Sequence, residues 1–171
     1  MLTSREMAEV ADVSEGTIFS VFPDKSSVII EAVKTTMDPA PVRAALAEIS
    51  ATSPLEDQLD SVAVILLKRS ERVGTLIGVL RSMQPSGAEK PAGAHRFVME
   101  SNAAILAALT DLFSQHRDEL RVDPGRAAVA FMGFVFANAH PLMAANAKPD
   151  AAEIVDMLLR GIASPDVEAA T

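Results

Sequence analysis

Apolar residues recur at every third or fourth position along nearly the whole chain, as Leu55, Leu59 and Val62 do, whereas strand-like alternation of apolar and polar residues is nearly absent. This period places the apolar residues of each segment on one face of a helix. Because 49% of the residues are hydrophobic and 22% are charged, the helices have enough apolar surface for a core, and the chain is too apolar for intrinsic disorder. The sequence therefore predicts an all-α protein.

Several kinds of chemistry are excluded or disfavoured by residue type and spacing. The chain has no cysteine, which excludes disulfides, thiolate metal sites and a cysteine nucleophile. The three histidines, His95, His116 and His140, are isolated from one another, and no paired helical metal-ligand spacing or glycine-rich phosphate loop occurs. The residues that come closest to a serine–histidine–aspartate catalytic triad are Ser114, His116 and Asp118. Their i, i+2 spacing directs the side chains apart on a helix. We therefore expect neither catalysis nor a bound metal or cofactor, with a helical enzyme as a minor alternative.

The sequence also bears on where the chain resides. Residues 1–20 carry five charged side chains and no continuous apolar stretch, so they do not resemble a secretory signal. The longest run without a formal charge is 127–147, and its purely apolar part, 127–137, is too short for a membrane span of about 20 residues. We expect a cytoplasmic protein without a membrane segment.

The amino-terminal residues show helix start and stop signals at short intervals. Thr3 followed by Glu6 is a capping box, in which each side chain satisfies a free backbone N–H. A turn then leads to Ser14, which can cap a second helix, and Pro23 ends that helix because the residue before a proline avoids the helical conformation. Asp24 is placed to cap a third helix. Two short helices joined by a tight turn are the layout of a helix-turn-helix.

The segment from Thr3 to Lys25, TSREMAEVADVSEGTIFSVFPDK, resembles the DNA-binding motif of the tetracycline-repressor (TetR) family. The family pattern is T-x-x-x-I-A-x-x-A-G-V-S-x-G-x-(I/L)-Y-x-(H/Y)-F-x-x-K. The residues at matching positions are Thr3, Met7, Ala8, Ala11, Val13, Ser14, Gly16, Thr17, Ile18, Phe22 and Lys25. The resemblance implies a regulator with a helix-turn-helix head and a larger helical domain, which binds a small molecule and dimerises through its last two long helices.

The same resemblance implies which residues of the head lie at the DNA. They are Thr3, Ser4, Arg5, Ser14, Glu15, Gly16, Thr17, Phe19, Ser20 and Lys25. Thr3 and Ser4, at a helix start, would meet phosphate through hydroxyl and backbone N–H groups, and Lys25 would bind another phosphate. The second helix would enter the major groove. The residues that would contact bases or nearby phosphate are Arg5, Ser14, Glu15, Thr17 and Ser20, with Arg favouring guanine and Ser or Thr permissive. The alternative for Thr3 and Ser14 is a role as caps alone. The alternative for Arg5 and Lys25 is solvated surface.

Other features of the segment depart from the family pattern and weaken DNA binding. Phe19 replaces the usual tyrosine, which removes a hydroxyl that can reach phosphate, Val21 replaces the usual histidine or tyrosine, and Asp12 stands where glycine is commoner. We expect the head to lack the family's first helix, which precedes the position of Thr3. Residues 1–36 carry three basic and six acidic side chains, and the whole chain has a net charge of −8. Because affinity for DNA rests largely on phosphate neutralisation, we expect weak binding at physiological salt.

We divide the chain into a partial helix-turn-helix domain, residues 1–36, and an effector-binding and dimerisation domain, residues 37–171. Within the larger domain, a break in one long helix is predicted near Gly74. Polar residues embedded in apolar helices, together with adaptable methionine and aromatic neighbours, predict a site for a small lipophilic effector. The candidates are Arg81, His95, Met99, Asn102, Phe134 and Asn138. For Met99 and Phe134 the alternative is a place in the core, and for Asn138 an interface hydrogen bond or a cap.

The helix that begins at Pro124 is apolar nearly all round over residues 127–137. Such a helix needs cover on every side, which neighbours within a small bundle rarely supply. We therefore predict a homodimer through residues 124–163, with a central helix of a monomeric core as the alternative.

Together these expectations describe a TetR-like, DNA-binding transcriptional regulator of the repressor type, which a small-molecule effector releases from its double-stranded operator. The alternative is a module that binds an effector and dimerises but has lost DNA binding.

Overall fold

The computed structural model describes residues 8–9, 12–49, 51–83, 94–140 and 150–160, and all of their side chains except those of residues 15, 18, 25, 79, 81–83 and 94. Every regular element within these ranges is helical, so the predicted all-α fold is confirmed. The helices are α1 (Glu15–Val21), α2 (Lys25–Met37), α3 (Ala40–Ala47), α4 (Leu55–Met83), α5 (Ala94–Gln115), a short 3₁₀ helix (Arg117–Glu119), α6 (Pro124–Ala139) and α7 (Ala151–Arg160).

The chain packs into two compact units. The first unit comprises residues 1–38 and 72–103, and the second comprises residues 39–71 and 104–171. Helices α4 and α5 therefore contribute residues to both units. The functional boundary predicted at residue 36 stays a prediction, because this division reflects packing alone.

The core of the second unit is formed by the inward faces of α4, α5, α6 and α7. Its members with almost no exposed surface are Leu59, Val62, Ala63, Ile105, Leu109, Phe113, Ala128, Phe131, Val135, Ile154 and Val155. The rings of Phe113 and Phe131 meet nearly edge to face, with centroids 6.1 Å apart and planes at 76°. Because burying one such aromatic side chain contributes about 1.5–3 kcal/mol, this α5–α6 contact anchors the unit.

The first unit has a smaller core between α2 and the parts of α4 and α5 that belong to it. Ile29, Val33 and Met37 of α2 are buried against partly buried residues of α4 and α5, which include Val73 and Leu76. Ser101 of α5 is also buried, and its hydroxyl donates a hydrogen bond to the carbonyl of Met37.

The predicted helix break near Gly74 is wrong, since α4 is continuous from Leu55 to Met83. A glycine inside a helix costs about 1 kcal/mol relative to alanine but keeps its backbone hydrogen bonds. Val73 and Leu76, on either side of the glycine, pack on the α2 core. This tertiary packing offsets the low helix propensity of Gly74 and keeps the helix continuous.

Helix α7 is fastened to α4 at its carboxyl end. The guanidinium of Arg160 donates to both carboxylate oxygens of Glu56, with N–O distances of 2.9–3.1 Å, and also to Asp156 at 2.5 Å. The hydrogen bond from Arg160 lowers the pKa of the Glu56 carboxyl. The pair is half exposed, so it fixes geometry more than it adds stability.

One stretch among the described residues, His95–Gln115, is long and apolar enough to cross a membrane by length and composition alone. Ile105, Leu109 and Phe113 of this stretch are buried in the core of the second unit. The feature is therefore weak evidence for a span, because a core helix has the same composition.

Candidate functional site

The turn before α1 has the hydrogen bonds of a Schellman motif, as expected for the middle of a helix-turn-helix. Ala8 and Glu9 are helical, the Val13 N–H donates to the Ala8 carbonyl at 3.0 Å, and the Asp12 N–H donates to the Glu9 carbonyl at 3.3 Å. Asp12 has a φ of +54°, in the left-handed region that favours glycine. The structure thus gives a physical reason why glycine is commoner than aspartate at this position.

Helix α1 is capped by Ser14, as the sequence predicts. The Thr17 N–H donates to the Ser14 Oγ at 3.1 Å, and the two side-chain hydroxyls are 2.8 Å apart. A helix of seven residues is too short to be stable alone, so this cap and the preceding turn fix its position. The phosphate contact implied for Ser14 stays a prediction.

A broad face of α1 is open to solvent. Gly16, Thr17, Phe19, Ser20 and Val21 are all exposed, and at 3.6 residues per turn they cover an arc of about 200°. The hydroxyls of Thr17 and Ser20 lie within this arc, and Ser20 donates its proton to the Thr17 carbonyl at 2.7 Å. The apolar residues Phe19 and Val21, 47% and 66% exposed, flank it. The described side chains of α1 therefore form a continuous exposed surface.

Helix α2 begins at a second cap within the head. The Asp24 carboxylate accepts hydrogen bonds from the backbone N–H and the hydroxyl of Ser27, at 2.7 and 2.9 Å. The backbone bond is the main reason that the pKa of Asp24 lies below its ordinary value. The carboxylate satisfies the helix start but places a fixed negative charge beside α1, which opposes a nearby phosphate.

The structure brings together five of the ten residues predicted to lie at DNA. Ser14, Gly16, Thr17, Phe19 and Ser20 share α1 and its cap. Thr3, Ser4 and Arg5 lie outside the described residues, as do the side chains of Glu15 and Lys25. Sequence reasoning missed Val21 as a surface residue, although its place at the end of a short helix was the signal for exposure.

The residues predicted to bind an effector are divided between the two units. Arg81, His95, Met99 and Asn102 belong to the first unit, and Phe134 and Asn138 belong to the second. His95 and Met99 are exposed, and the side chain of Arg81 is not among those described. The Asn138 side-chain N–H donates to the Phe134 carbonyl at 2.8 Å, so this amide serves its own helix. The effector site stays a prediction.

A cleft of about 360 Å³ lies within the second unit, where α3, the start of α4 and the end of α5 meet. Its lining residues are Arg43, Leu46, Ala47, Ile49, Ala51, Gln58, Ala108, Asp111, Leu112 and Gln115. None of the predicted effector residues lines it. The sequence offered no signal for this cleft, because its charged and amide residues are spread over three helices and resemble ordinary surface positions.

Helix α6 has one buried and one open apolar face. Phe131 and Val135 are fully buried, whereas Val129 and Phe136 are 56% and 57% exposed. Val129, Gly133 and Phe136 follow the i, i+4, i+7 spacing of a single stripe, and a Cβ added to Gly133 would meet no atom within 4 Å. The described part of the chain therefore leaves an apolar side of α6 exposed.

The part of the chain that the structure describes contains no group of three or more histidine, aspartate or glutamate residues able to hold a metal ion.

Comparison with solved structures identifies the fold. The chain is similar to a transcriptional regulator of the TetR/AcrR family from Thermobifida fusca, with a TM-score of 0.64 and 15% sequence identity over 95% of this chain and 88% of that one. It is also similar to the transcriptional regulator FadR from Bacillus subtilis, solved in complex with stearoyl-CoA, with a TM-score of 0.62 and 15% identity over 95% and 89% of the two chains. No protein-family model matches the sequence, and the search of curated proteins finds no match. The fold is that of TetR-like regulators, which confirms at the level of the fold the resemblance seen in residues 3–25.

Proposed function

We propose that this chain is a DNA-binding transcriptional regulator of the repressor type, acting in the cytoplasm without catalysis, whose hold on its operator is relieved by a small lipophilic effector. The observation that carries the proposal is the exposed helix α1, set between a Schellman turn and two caps. The similar chains from Thermobifida fusca and Bacillus subtilis are both transcriptional regulators, which supports the same role for this fold.

In this proposal the open face of α1 enters the major groove. Thr17 and Ser20 offer hydroxyls to base edges, and the absence of a side chain at Gly16 permits close approach. Thr3 and Ser4 contact phosphate, and Lys25 contacts another phosphate. Arg5, Ser14 and Glu15 contact bases or nearby phosphate, and Phe19 belongs to the same surface. The acidic balance of residues 1–36 makes the interaction weak at physiological salt.

The open face of α6 supports a homodimer through residues 124–163. A stripe formed by Val129, Gly133 and Phe136 is self-complementary across a two-fold axis, because two copies present the same apolar surface to each other. A second copy also supplies a second reading head, which helix-turn-helix proteins need for operators with two half-sites.

The effector arm of the proposal rests on the residues named from the sequence, Arg81, His95, Met99, Asn102, Phe134 and Asn138. FadR from Bacillus subtilis, which has the same fold, was solved with stearoyl-CoA, a ligand with a long apolar chain. That likeness supports a lipophilic compound as the kind of effector.

The DNA-binding proposal is tested by selection of duplexes from a random library at low salt, followed by affinity measurements on a selected and a scrambled duplex. We expect the selected duplex to bind more tightly, with an affinity that falls steeply as salt rises. Ser20→Glu adds a charge to the open face of α1 and should abolish the preference. Ser114→Glu is the matched control, because Ser114 is also exposed and also donates to a carbonyl one turn earlier. Equal binding of both duplexes would refute sequence-specific recognition.

The dimer is tested by sedimentation equilibrium of the wild type and Phe136→Glu. We expect the wild type to be dimeric and the variant, which replaces the largest apolar side chain of the open stripe with a charge, to be monomeric. Val122→Glu is the control, because Val122 is an exposed apolar residue outside the predicted interface. A monomeric wild type, or a dimer that Phe136→Glu leaves intact, contradicts the assignment.

The charge of the head favours a second candidate function, a module that dimerises and binds a ligand without DNA. Residues 1–36 carry twice as many acidic as basic side chains, and Asp24 holds its charge next to α1. The library selection separates the two functions, since the module would enrich no sequence even at low salt.

A further inference from the structure

The cleft in the second unit has a volume within the range of small-molecule pockets. Its volume of about 360 Å³ is near the lower end of the range for small-molecule pockets, about 300–1,000 Å³. This volume accommodates a molecule the size of one large amino acid. The cleft is separate from the residues proposed for the lipophilic effector.

The apolar part of the cleft comes from α3, the segment that follows α3, and α5. Leu46 of α3 and Leu112 of α5 are buried, and Ile49 after α3 is half-buried. Three alanines complete the lining between them and leave room that larger side chains would fill: Ala47, Ala51 and Ala108. This lining suits one aliphatic or aromatic substituent.

One wall of the cleft is held in place by a buried amide. Gln58 is only 2% exposed, and its side-chain N–H donates to the Ser53 carbonyl at 2.8 Å. The bond ties the start of α4 to the connection that follows α3. A wall fixed in this way loses little conformational entropy when a ligand enters.

The cleft also has two opposite charges on different helices. Arg43 lies on α3 and Asp111 lies on α5, and among the described residues neither side chain forms an ion pair. They line the same cleft without bridging each other. Where opposite charges of this unit approach closely, as Arg160 and Glu56 do, they pair directly.

This arrangement selects ligand charge. A ligand with only a carboxylate gains from Arg43 but is repelled by Asp111, and a ligand with only an ammonium group meets the reverse. A zwitterion satisfies both. We propose that the cleft binds a small zwitterion with one apolar substituent, with its carboxylate at Arg43, its ammonium at Asp111 and its substituent against Leu46 and Leu112.

The proposal is tested with three probes of nearly equal size, titrated calorimetrically into the full chain without DNA. L-Phenylalanine carries both charges, 3-phenylpropanoate only the carboxylate, and L-phenylalaninol only the ammonium group. We expect L-phenylalanine to bind about two- to fivefold more tightly than either analogue, the effect of one ion pair with an exposed side chain.

Two variants assign the charges. Arg43→Gln should remove the preference for L-phenylalanine over L-phenylalaninol, and Asp111→Asn should remove the preference over 3-phenylpropanoate. Arg126→Gln and Asp118→Asn remove the same charges at exposed positions outside the cleft and should change neither. Equal binding of the three probes, no binding at millimolar concentration, or preferences that survive Arg43→Gln and Asp111→Asn would overturn the proposal. Because no DNA is present, these results are independent of the proposed regulatory function.

Discussion

Helices α1 and α6 are held in place by different forces. Helix α1 has seven residues, exposes most of them, and is fixed by hydrogen bonds at its ends, the turn at Asp12 and the cap at Ser14. Helix α6 is fixed by burial of one face, with Phe131 and Val135 at its centre. Local hydrogen bonds leave the surface of α1 exposed, whereas burial places one face of α6 in the core and leaves the opposite face exposed.

The largest expected effect separates the two faces of α6. Phe131→Ala removes a fully buried ring that contacts Phe113, and should lower the free energy of unfolding by about 3–5 kcal/mol. Phe136→Ala, on the exposed face, should change it by less than about 0.5 kcal/mol at concentrations where the chain is monomeric.

Urea unfolding followed by far-ultraviolet circular dichroism measures both changes, because the chain has neither Trp nor Tyr for intrinsic fluorescence. Similar losses for the two alanine variants would show that the two faces of α6 do not differ as described.

Substitutions at the amino-terminal cap of α1 should change stability less than loss of the buried Phe131 ring. Ser14→Ala removes the hydroxyl that accepts the Thr17 N–H and should destabilise α1 by about 1 kcal/mol, whereas Ser14→Gly should cost only a few tenths. Hydrogen exchange of the α1 amides measures this local stability. Ser14→Ala and Ser14→Gly also test whether Ser14 contacts phosphate. If the hydroxyl acts only as a cap, Ser14→Gly should bind DNA with the affinity of the wild type.

The sequence predicts helix ends well, because caps and prolines act over three or four residues. Ser14, Asp24 and Asp123 each accept the backbone N–H three residues later, as their positions before helical segments indicate. Pro124 stands at the start of α6 as expected, and Pro23 follows the end of α1. Those at Ser14, Pro23 and Asp24 belong to the segment that resembles a helix-turn-helix.

Features that depend on distant residues were predicted poorly. Gly74 resembles a break locally, but packing on α2 keeps α4 intact. The cleft beside Arg43 and Asp111 joins helices nearly 70 residues apart in the chain, so no local pattern marks it. The apolar sequence of α6 indicates that it needs cover, yet only the fold shows which side the chain itself covers.

A substitution in the turn before α1 should have a smaller effect on stability than Ser14→Ala, and the opposite sign. Asp12 is held at a φ of +54°, where residues with a Cβ are strained and glycine is not. Asp12→Gly should therefore stabilise the head by about 0.5 kcal/mol after the greater flexibility of glycine in the unfolded chain is included. Asp12→Ala is the control, because alanine lacks the polar side chain that helps aspartate tolerate this conformation, and it should destabilise. A loss of protection at the Val13 amide in Asp12→Gly would contradict this account.

The smallest effect concerns pH and again distinguishes a helix held by its ends from one held by its buried face. The hydrogen bonds from Ser27 lower the pKa of Asp24 below its ordinary value of 3.8, so the cap favours the folded head above that pH. This contribution is lost as the pH falls through the lowered pKa and the carboxylate is protonated. The buried face of α6 consists of Ala127, Ala128, Phe131 and Val135, which do not titrate. Acid should therefore loosen the start of α2 before it affects the centre of α6.

Carboxyl-carbon NMR should give Asp24 a midpoint below 3.8, with loss of amide protection at Ser27 over the same range, and Asp24→Asn should remove this dependence. A midpoint at or above 3.8 would mean that the cap bonds do not favour the ionised carboxylate.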